Sequence, residues 1–100
     1  MRIISWNVLA AFADEHPETK APLLRWKALL RASDWASMAD VRLAAPNVKI
    51  LNGERARFEV AGGNFRMVVA FDFGRRIVFV KFIGTHAEYD RVDALTISQF

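Results

Sequence analysis

From Arg55 to Ile83 the chain reads as three apolar-rich runs, 55–61, 64–73 and 76–83, punctuated by Gly62-Gly63 and Gly74-Arg75. Runs of this length, rich in Val, Ile and Phe, are β-strands, and the glycine-bearing pairs between them are hairpin turns. Two-residue loops fix the register. Val60 then pairs with Phe65, Glu59 with Arg66, Phe58 with Met67 and Arg57 with Val68. In the second hairpin Phe71 pairs with Val78, Val69 with Val80, Val68 with Lys81, Met67 with Phe82 and Arg66 with Ile83. Directly opposed residues share a sheet face, and a slip of one residue exchanges the faces. One face becomes Phe58, Val60, Phe65, Met67, Val69, Phe71, Val78, Val80 and Phe82, which is wholly apolar and calls for a covering layer.

The first half of the chain supplies that layer. After a short strand at 2–5, residues 6–13 form a helix capped by Ser5 or Asn7 and stopped by the Asp14-Glu15-His16-Pro17 turn. Thr19 caps a second helix from Lys20 to about Ala32, with Leu23, Trp26, Leu29 and Leu30 at helical spacing. Its Lys20, Arg25, Lys27 and Arg31 form a cationic face with no acid, which is either solvated or set against phosphate. A third helix starts at Ser37 and runs to about Ala45, stopped by Pro46. Trp6, Trp26 and Trp35 are expected as packing anchors. Helices first and antiparallel strands afterwards imply an α+β domain with the helices on one face of the sheet.

One hundred residues, 53% of them hydrophobic and 25% charged, make a single domain, taken as 1–100, with one small core. Zero cysteines exclude a disulfide scaffold, a thiolate zinc site, an iron–sulfur cluster and a cysteine nucleophile. Two histidines far apart, His16 and His86, argue against a histidine-rich metal centre, and neither a metal nor a cofactor is expected. No apolar stretch spans a membrane, no signal peptide is read at the start, and a cytoplasmic location is expected. Net charge is +3, which favours an anionic partner without proving one.

The second sheet face carries the chemistry. It holds Arg57, Arg66 and Lys81 on three adjacent strands, with Glu59 and Asn64, among apolar Val68, Ile77, Phe79 and Ile83. A bland reading is a solvated face with a cross-strand Glu59–Arg66 ion pair. The apolar members are too many for open exposure, however, and call for a cover: a partner, a terminus or a nucleic acid. His86 follows the last strand, and its side chain exchanges protons near neutral pH. Thr85 and Glu88 have capping-box spacing for a short helix that puts His86 and Tyr89 on one side. A structural hydrogen-bonding role for His86, with Tyr89 packed on the core, is the competing reading. His16 is expected to be solvated. Gly62-Gly63-Asn64 lies between strands, the wrong context for a nucleotide loop.

Arg2-Ile3-Ile4-Ser5, His16-Pro17, Asp34-Trp35, Ala39-Asp40-Val41 before Pro46, the hairpin ending in Arg66, and above all Ile83-Gly84-Thr85-His86-Ala87-Glu88-Tyr89-Asp90 resemble the HigB toxins of bacterial type II toxin–antitoxin systems. These are small RelE-like mRNA interferases, and the likeness runs over nearly the whole chain. Two hairpin positions depart from the family pattern, Glu59 and Gly63, each standing in place of an asparagine. The resemblance implies a compact RelE-like fold and a metal-independent endoribonuclease that cuts mRNA on the ribosome. It implies neutralisation by a HigA-type helix-turn-helix antitoxin, with operator DNA touched only through that antitoxin. In such an enzyme Arg66 and Lys81 would face phosphate and transition-state charge. His86 would move the proton, with Tyr89 as second proton carrier or stacking residue, and Arg57 and Asn64 would bind RNA. A ParE-like gyrase poison on the same fold and a non-enzymatic RNA- or protein-binding module are the alternatives. The His86/Tyr89 block speaks against the first, and Glu59 beside Arg66 speaks for the second.

Overall fold

A computed structural model describes residues 1–100. The elements run β1 (Arg2–Ile4), α1 (Trp6–Glu15), a 3₁₀ turn (Pro17–Thr19), α2 (Lys20–Ala32), α3 (Met38–Ala44), β2 (Lys49–Ile50), β3 (Arg55–Val60), β4 (Phe65–Asp72), β5 (Ile77–Thr85) and α4 (His86–Tyr89). Five strands form one sheet in the order β1-β5-β4-β3-β2. β1 lies parallel to β5, and the other pairs are antiparallel. The sheet is therefore mixed, not purely antiparallel. The parallel pair arises because the chain returns to the sheet edge only after a long excursion through the helices and hairpins. β2, two residues long, carries too little pattern to be read from sequence.

The first hairpin has the expected register, Arg57 to Val68 through Val60 to Phe65. The second agrees from Asp72–Ile77 to Val69–Val80 and then breaks at a β-bulge. Beyond it Val68 pairs with Phe82, Met67 with Ile83 and Arg66 with Gly84, leaving Lys81 without a ladder partner. A bulge adds one residue to one strand and moves everything after it to the other face. Ile83 thus joins the helix-side core, and Phe82 leaves it, the reverse of the expectation. The turns are also longer than expected. Ladder pairing stops at Val60–Phe65 and Asp72–Ile77, so each loop takes four residues.

On the helix side, Leu9 and Ala13 of α1, Leu23, Trp26 and Leu30 of α2, Trp35, and Val41 of α3 pack on Phe58, Phe65, Met67, Phe71, Val78 and Ile83. Trp26 meets Phe58 and Trp35 meets Phe71 edge-on, with ring centroids 5.9 and 6.1 Å apart. Leu29, expected on the apolar stripe of α2, stays exposed. Trp6 is only partly buried and carries Lys27 Nζ 4.4 Å from its ring centroid. Ser5 precedes α1 and Ser37 precedes α3, but neither side chain caps its helix. Thr19 is fully buried, and its hydroxyl donates to the His16 carbonyl instead of capping α2.

The opposite sheet face is covered by α4 and by the segment after it. Arg55 Nη1 donates to the carbonyls of Ala94 (3.1 Å) and Ile97 (2.8 Å). Gln99 N–H donates to the Lys81 carbonyl (2.8 Å), and Gln99 Oε1 accepts from Ile83 N–H (3.1 Å). The chain after α4 therefore crosses from β3 to β5 and satisfies backbone groups at the bulge, where β1 no longer pairs. Val68 and Phe82 are buried on this side, away from α1, α2 and α3. The cover that the apolar second face demanded is α4 and the 94–99 segment of the chain itself.

Candidate active site

At the end of β5 the backbone is forced into a short helix by a complete capping box. Thr85 Oγ1 accepts from Glu88 N–H (3.1 Å), and Glu88 Oε1 accepts from Thr85 N–H (2.8 Å). The Thr85 backbone N–H, and then its hydroxyl, hold the Glu88 carboxyl below its ordinary pKa of 4.5. Gly84 makes the geometry possible. A Cβ there would stand 2.8 Å from Phe82 Cζ and 3.2 Å from Glu88 Oε1. Gly84 also stands opposite Arg66 in the ladder, so the missing side chain leaves room beside the guanidinium.

Within this frame Arg57 and Arg66, on adjacent strands, converge on one aromatic ring. Their guanidinium carbons lie 5.4 and 5.3 Å from the Tyr89 ring centroid. The far side of the cluster is Phe82, 6.2 Å from Tyr89 centroid to centroid. Nε of Arg57 and Nε of Arg66 are both buried without a hydrogen-bond partner. Buried donors are normally satisfied, so two orphaned guanidinium N–H groups in one cluster point to an anion or an acceptor from outside. Glu59 does not fill that role for Arg66. Its carboxylate approaches Arg57 Nη2 at 3.9 Å, because residues two apart on one strand share a face. The expected Glu59–Arg66 ion pair does not form, although the two residues stand opposite each other.

His86 opens α4. Its side chain is 51% exposed, and its Nδ1 lies 3.1 Å from Asp90 Oδ2. A carboxylate at Nδ1 holds the orientation of the ring. The His86 backbone N–H donates to the Asn64 carbonyl (3.1 Å), tying α4 to the first hairpin. Asn64 contributes that carbonyl, and its side chain is exposed. Arg57, Arg66 and Tyr89 thus meet at one end of the second face, and His86 opens the same short helix as Tyr89, tied by its backbone N–H to Asn64. Lys81 does not join them in any recorded contact. At the bulge, its Nζ lies 5.5 Å from the Phe79 ring centroid, and it borders a hollow with Arg55, Ala70 and Asp72.

Three further residues belong in the account. Asp90 orients His86; its i+4 spacing was visible in Thr85-His86-Ala87-Glu88-Tyr89-Asp90 once that block was read as a helix. Lys49 pairs with Arg57 across β2 and β3, adding an exposed cation to the same face at the sheet edge. Nothing in its local pattern marked it, since β2 is so short. His16 departs from the expected solvated position. Its ring packs against Phe12 and Phe65, with centroids 4.4 and 5.0 Å away. The 3₁₀ turn at Pro17 folds the loop back under α1 and places the imidazole there.

The model of the family described as HigB toxin, RelE-like toxic component of a toxin–antitoxin system, matches residues 19–92. The chain belongs to the HigB toxin family. A curated relative, the mRNA interferase HigB of Escherichia coli O6:H1 (strain CFT073), is 28% identical over 94 residues, covering 92% of this chain and 91% of its own length. As a HigB-family toxin the protein works within a toxin–antitoxin system and has an antitoxin as its partner. The matched region spans α2 to the residues just beyond α4, so the Arg57–Arg66–Tyr89–His86 cluster lies wholly inside it.

Proposed function

We propose that this toxin is a metal-independent endoribonuclease that cleaves mRNA on the ribosome and so stops translation. The observation that carries the reading is the pair of buried, unpartnered guanidinium N–H groups of Arg57 and Arg66 beside Tyr89, whose short helix also carries His86, held by Asp90. RNA cleavage needs only such parts. The ribose 2′-OH attacks the adjacent phosphorus as its proton passes to a base. The bond to the 5′ oxygen breaks as an acid protonates it. A 2′,3′-cyclic phosphate and a 5′-OH result. Arg66 and Arg57 offset the added charge on the phosphoryl oxygens. His86 exchanges the proton through Nε2. Tyr89 serves as the second proton carrier or stacks on a base, and Asn64 binds the RNA at the hairpin edge.

The antitoxin would be a HigA-type helix-turn-helix protein encoded beside the toxin, and operator DNA would be reached only through it. The setting would be the cytoplasm, where translating ribosomes are. Glu59 was the best support for a non-catalytic binding module; its approach to Arg57 rather than Arg66 weakens that reading.

Induction of the chain in growing bacteria is expected to arrest translation and to leave message fragments with 5′-OH ends. His86→Ala is expected to remain folded and to lose about 10²–10⁴-fold in cleavage rate. Arrest with intact messages, or a folded His86→Ala that cuts as fast as the parent, would refute the assignment. A DNA-damage response with intact messages would support the gyrase-poison alternative instead.

A further inference from the structure

β1 is an edge of the sheet, with β5 on one side and no strand on the other. Arg2 N–H donates to the Arg76 carbonyl (2.9 Å), so Arg2 turns its backbone groups toward β5. Successive residues of a strand turn theirs to opposite sides, so Ile3 presents its N–H and C=O outward. No turn or loop group bonds to them, although Ile3 is half-buried and such groups are normally paired. A hollow of about 450 Å³ runs along this edge, lined by Met1, Arg2, Ile3, Trp6, Lys27 and Arg31. Ile3 packs on the helix-side core, and its neighbour Arg2 projects to the opposite face, so the hollow follows the edge itself. Three of these six residues are cations and none is an acid. Arg2, Lys27 and Arg31 form no ion pair, and Lys27 rests over the Trp6 ring. Asp34, just past α2, is already held by Arg76 at 2.7 Å.

We infer that the outer edge of β1 receives an extended acidic segment of the antitoxin, which joins the five-stranded sheet as a further strand. The inference rests on membership of the toxin family and not on the nuclease reading. Main-chain bonds to Ile3 supply affinity, and side chains on the two faces of the added strand supply specificity. Acidic ones meet Arg2 on one face and Lys27 and Arg31 on the other, and an apolar one lies against Ile3 and Trp6. RNA matches the cations but offers the Ile3 N–H and C=O no row of alternating donors and acceptors. A second copy of this chain brings such a row but sets one cationic rim against another. Charges that merely blunt an edge against pairing need no hollow between strand and helix. β1 lies beside the first residues of β5, Ile77–Phe79, whereas the Arg66–Tyr89 cluster lies at its far end, about 20 Å along the strand. The added strand therefore anchors the antitoxin and does not itself cover the Arg57–Arg66 cluster.

The test compares amide exchange, by nuclear magnetic resonance, in the free toxin and in its complex with the co-expressed antitoxin encoded beside it. In the complex the Ile3 amide is expected to exchange at least about tenfold more slowly, with the downfield proton shift of a new hydrogen bond. Arg2→Glu is expected to weaken antitoxin binding about tenfold, and Arg31→Gln about two- to fivefold, both effects shrinking at high salt. Both side chains are exposed, so melts of the free variants are expected to match the parent. A titration of the free toxin with octathymidylate, a single-stranded polyanion, is expected to leave the Ile3 amide unchanged. An Ile3 amide that exchanges equally fast free and bound overturns the inference. So do variants that bind the antitoxin as tightly as the parent. Slowing of Ile3 by octathymidylate overturns it too, making the edge a nucleic-acid surface. Message cleavage is not read in any arm, so failure here and failure of the nuclease reading are separate results.

Discussion

Gly84 shows how a single residue governs the site. It has no side chain because the Phe82 ring and the Glu88 carboxylate already occupy the volume a Cβ would need. Gly84→Ala therefore overpacks a buried position, an insertion that typically costs about 1–3 kcal/mol. Urea denaturation should show a lower midpoint with an unchanged slope, and RNA cleavage should fall as well, since Arg66 faces the same position. Asp90 acts on rate instead. The His86–Asp90 pair is half exposed on both sides, and exposed ion pairs are worth little to stability. Asp90→Asn should leave the melting temperature unchanged and lower the cleavage rate at saturating RNA a few-fold, with KM unaltered. A change in KM alone would mean that Asp90 binds RNA and does not orient the imidazole.

At the scale of elements, what could be read from sequence depended on whether a pattern had one solution. The first hairpin did. Its Phe58-Glu59-Val60 and Phe65-Arg66-Met67 alternate strictly, so only one register keeps polar groups off the core. The end of β5 did not. Val80-Lys81-Phe82-Ile83 offers adjacent apolar residues, and either Phe82 or Ile83 fits the helix-side core. The choice is made by α4 and the segment after it, which bury Phe82 on the other face, a contact that no local pattern contains. Lys49 was hidden because its strand is only two residues long, and His16 was misplaced because its ring meets Phe65 of the first hairpin as well as Phe12. Arg57, Arg66, His86 and Tyr89 were legible because each sits on an element with a clear start. For α4 that start is its capping box, which makes the helix sensitive to acid. The Glu88 pKa is lowered in the folded protein. Its stabilisation is thus complete above about 4.5, the ordinary value, and is lost as pH falls through the lower folded value. Amide exchange at Thr85 and Glu88 should accelerate only on that acid side and stay flat, after correction for intrinsic rates, from pH 6 to 8. Acceleration that begins at neutral pH would mean that Glu88 does not hold the cap.

The whole molecule is a sheet with two unequal covers. Three helices bury one face through a continuous apolar core, whereas the other face relies on four-residue α4 and an irregular segment. A segment without internal ladder bonds must be held by side chains, and here Arg55 and Gln99 hold it from opposite strands. Arg55 is the more costly to lose. Its guanidinium makes two bonds from one nitrogen to carbonyls about forty residues away in sequence, and hydrogen bonds to charged groups are worth about 1.5–3 kcal/mol. Releasing them also uncovers Val68 and Phe82, which lie beneath. Arg55→Ala should therefore lower stability by at least about 1.5 kcal/mol, or roughly 6–12 °C in melting temperature for a chain of this size. Lys49→Ala, on the exposed sheet edge of the same face, should change stability by less than about 0.5 kcal/mol. Removing a positive charge is common to both variants, so a difference between them isolates the clasp from net charge. Equal, small effects would mean that the second cover contributes nothing to folding. Hydrogen exchange would then be expected to show residues 94–99 opening independently of the sheet, and the Lys81 bulge, whose carbonyl Gln99 satisfies, opening with them.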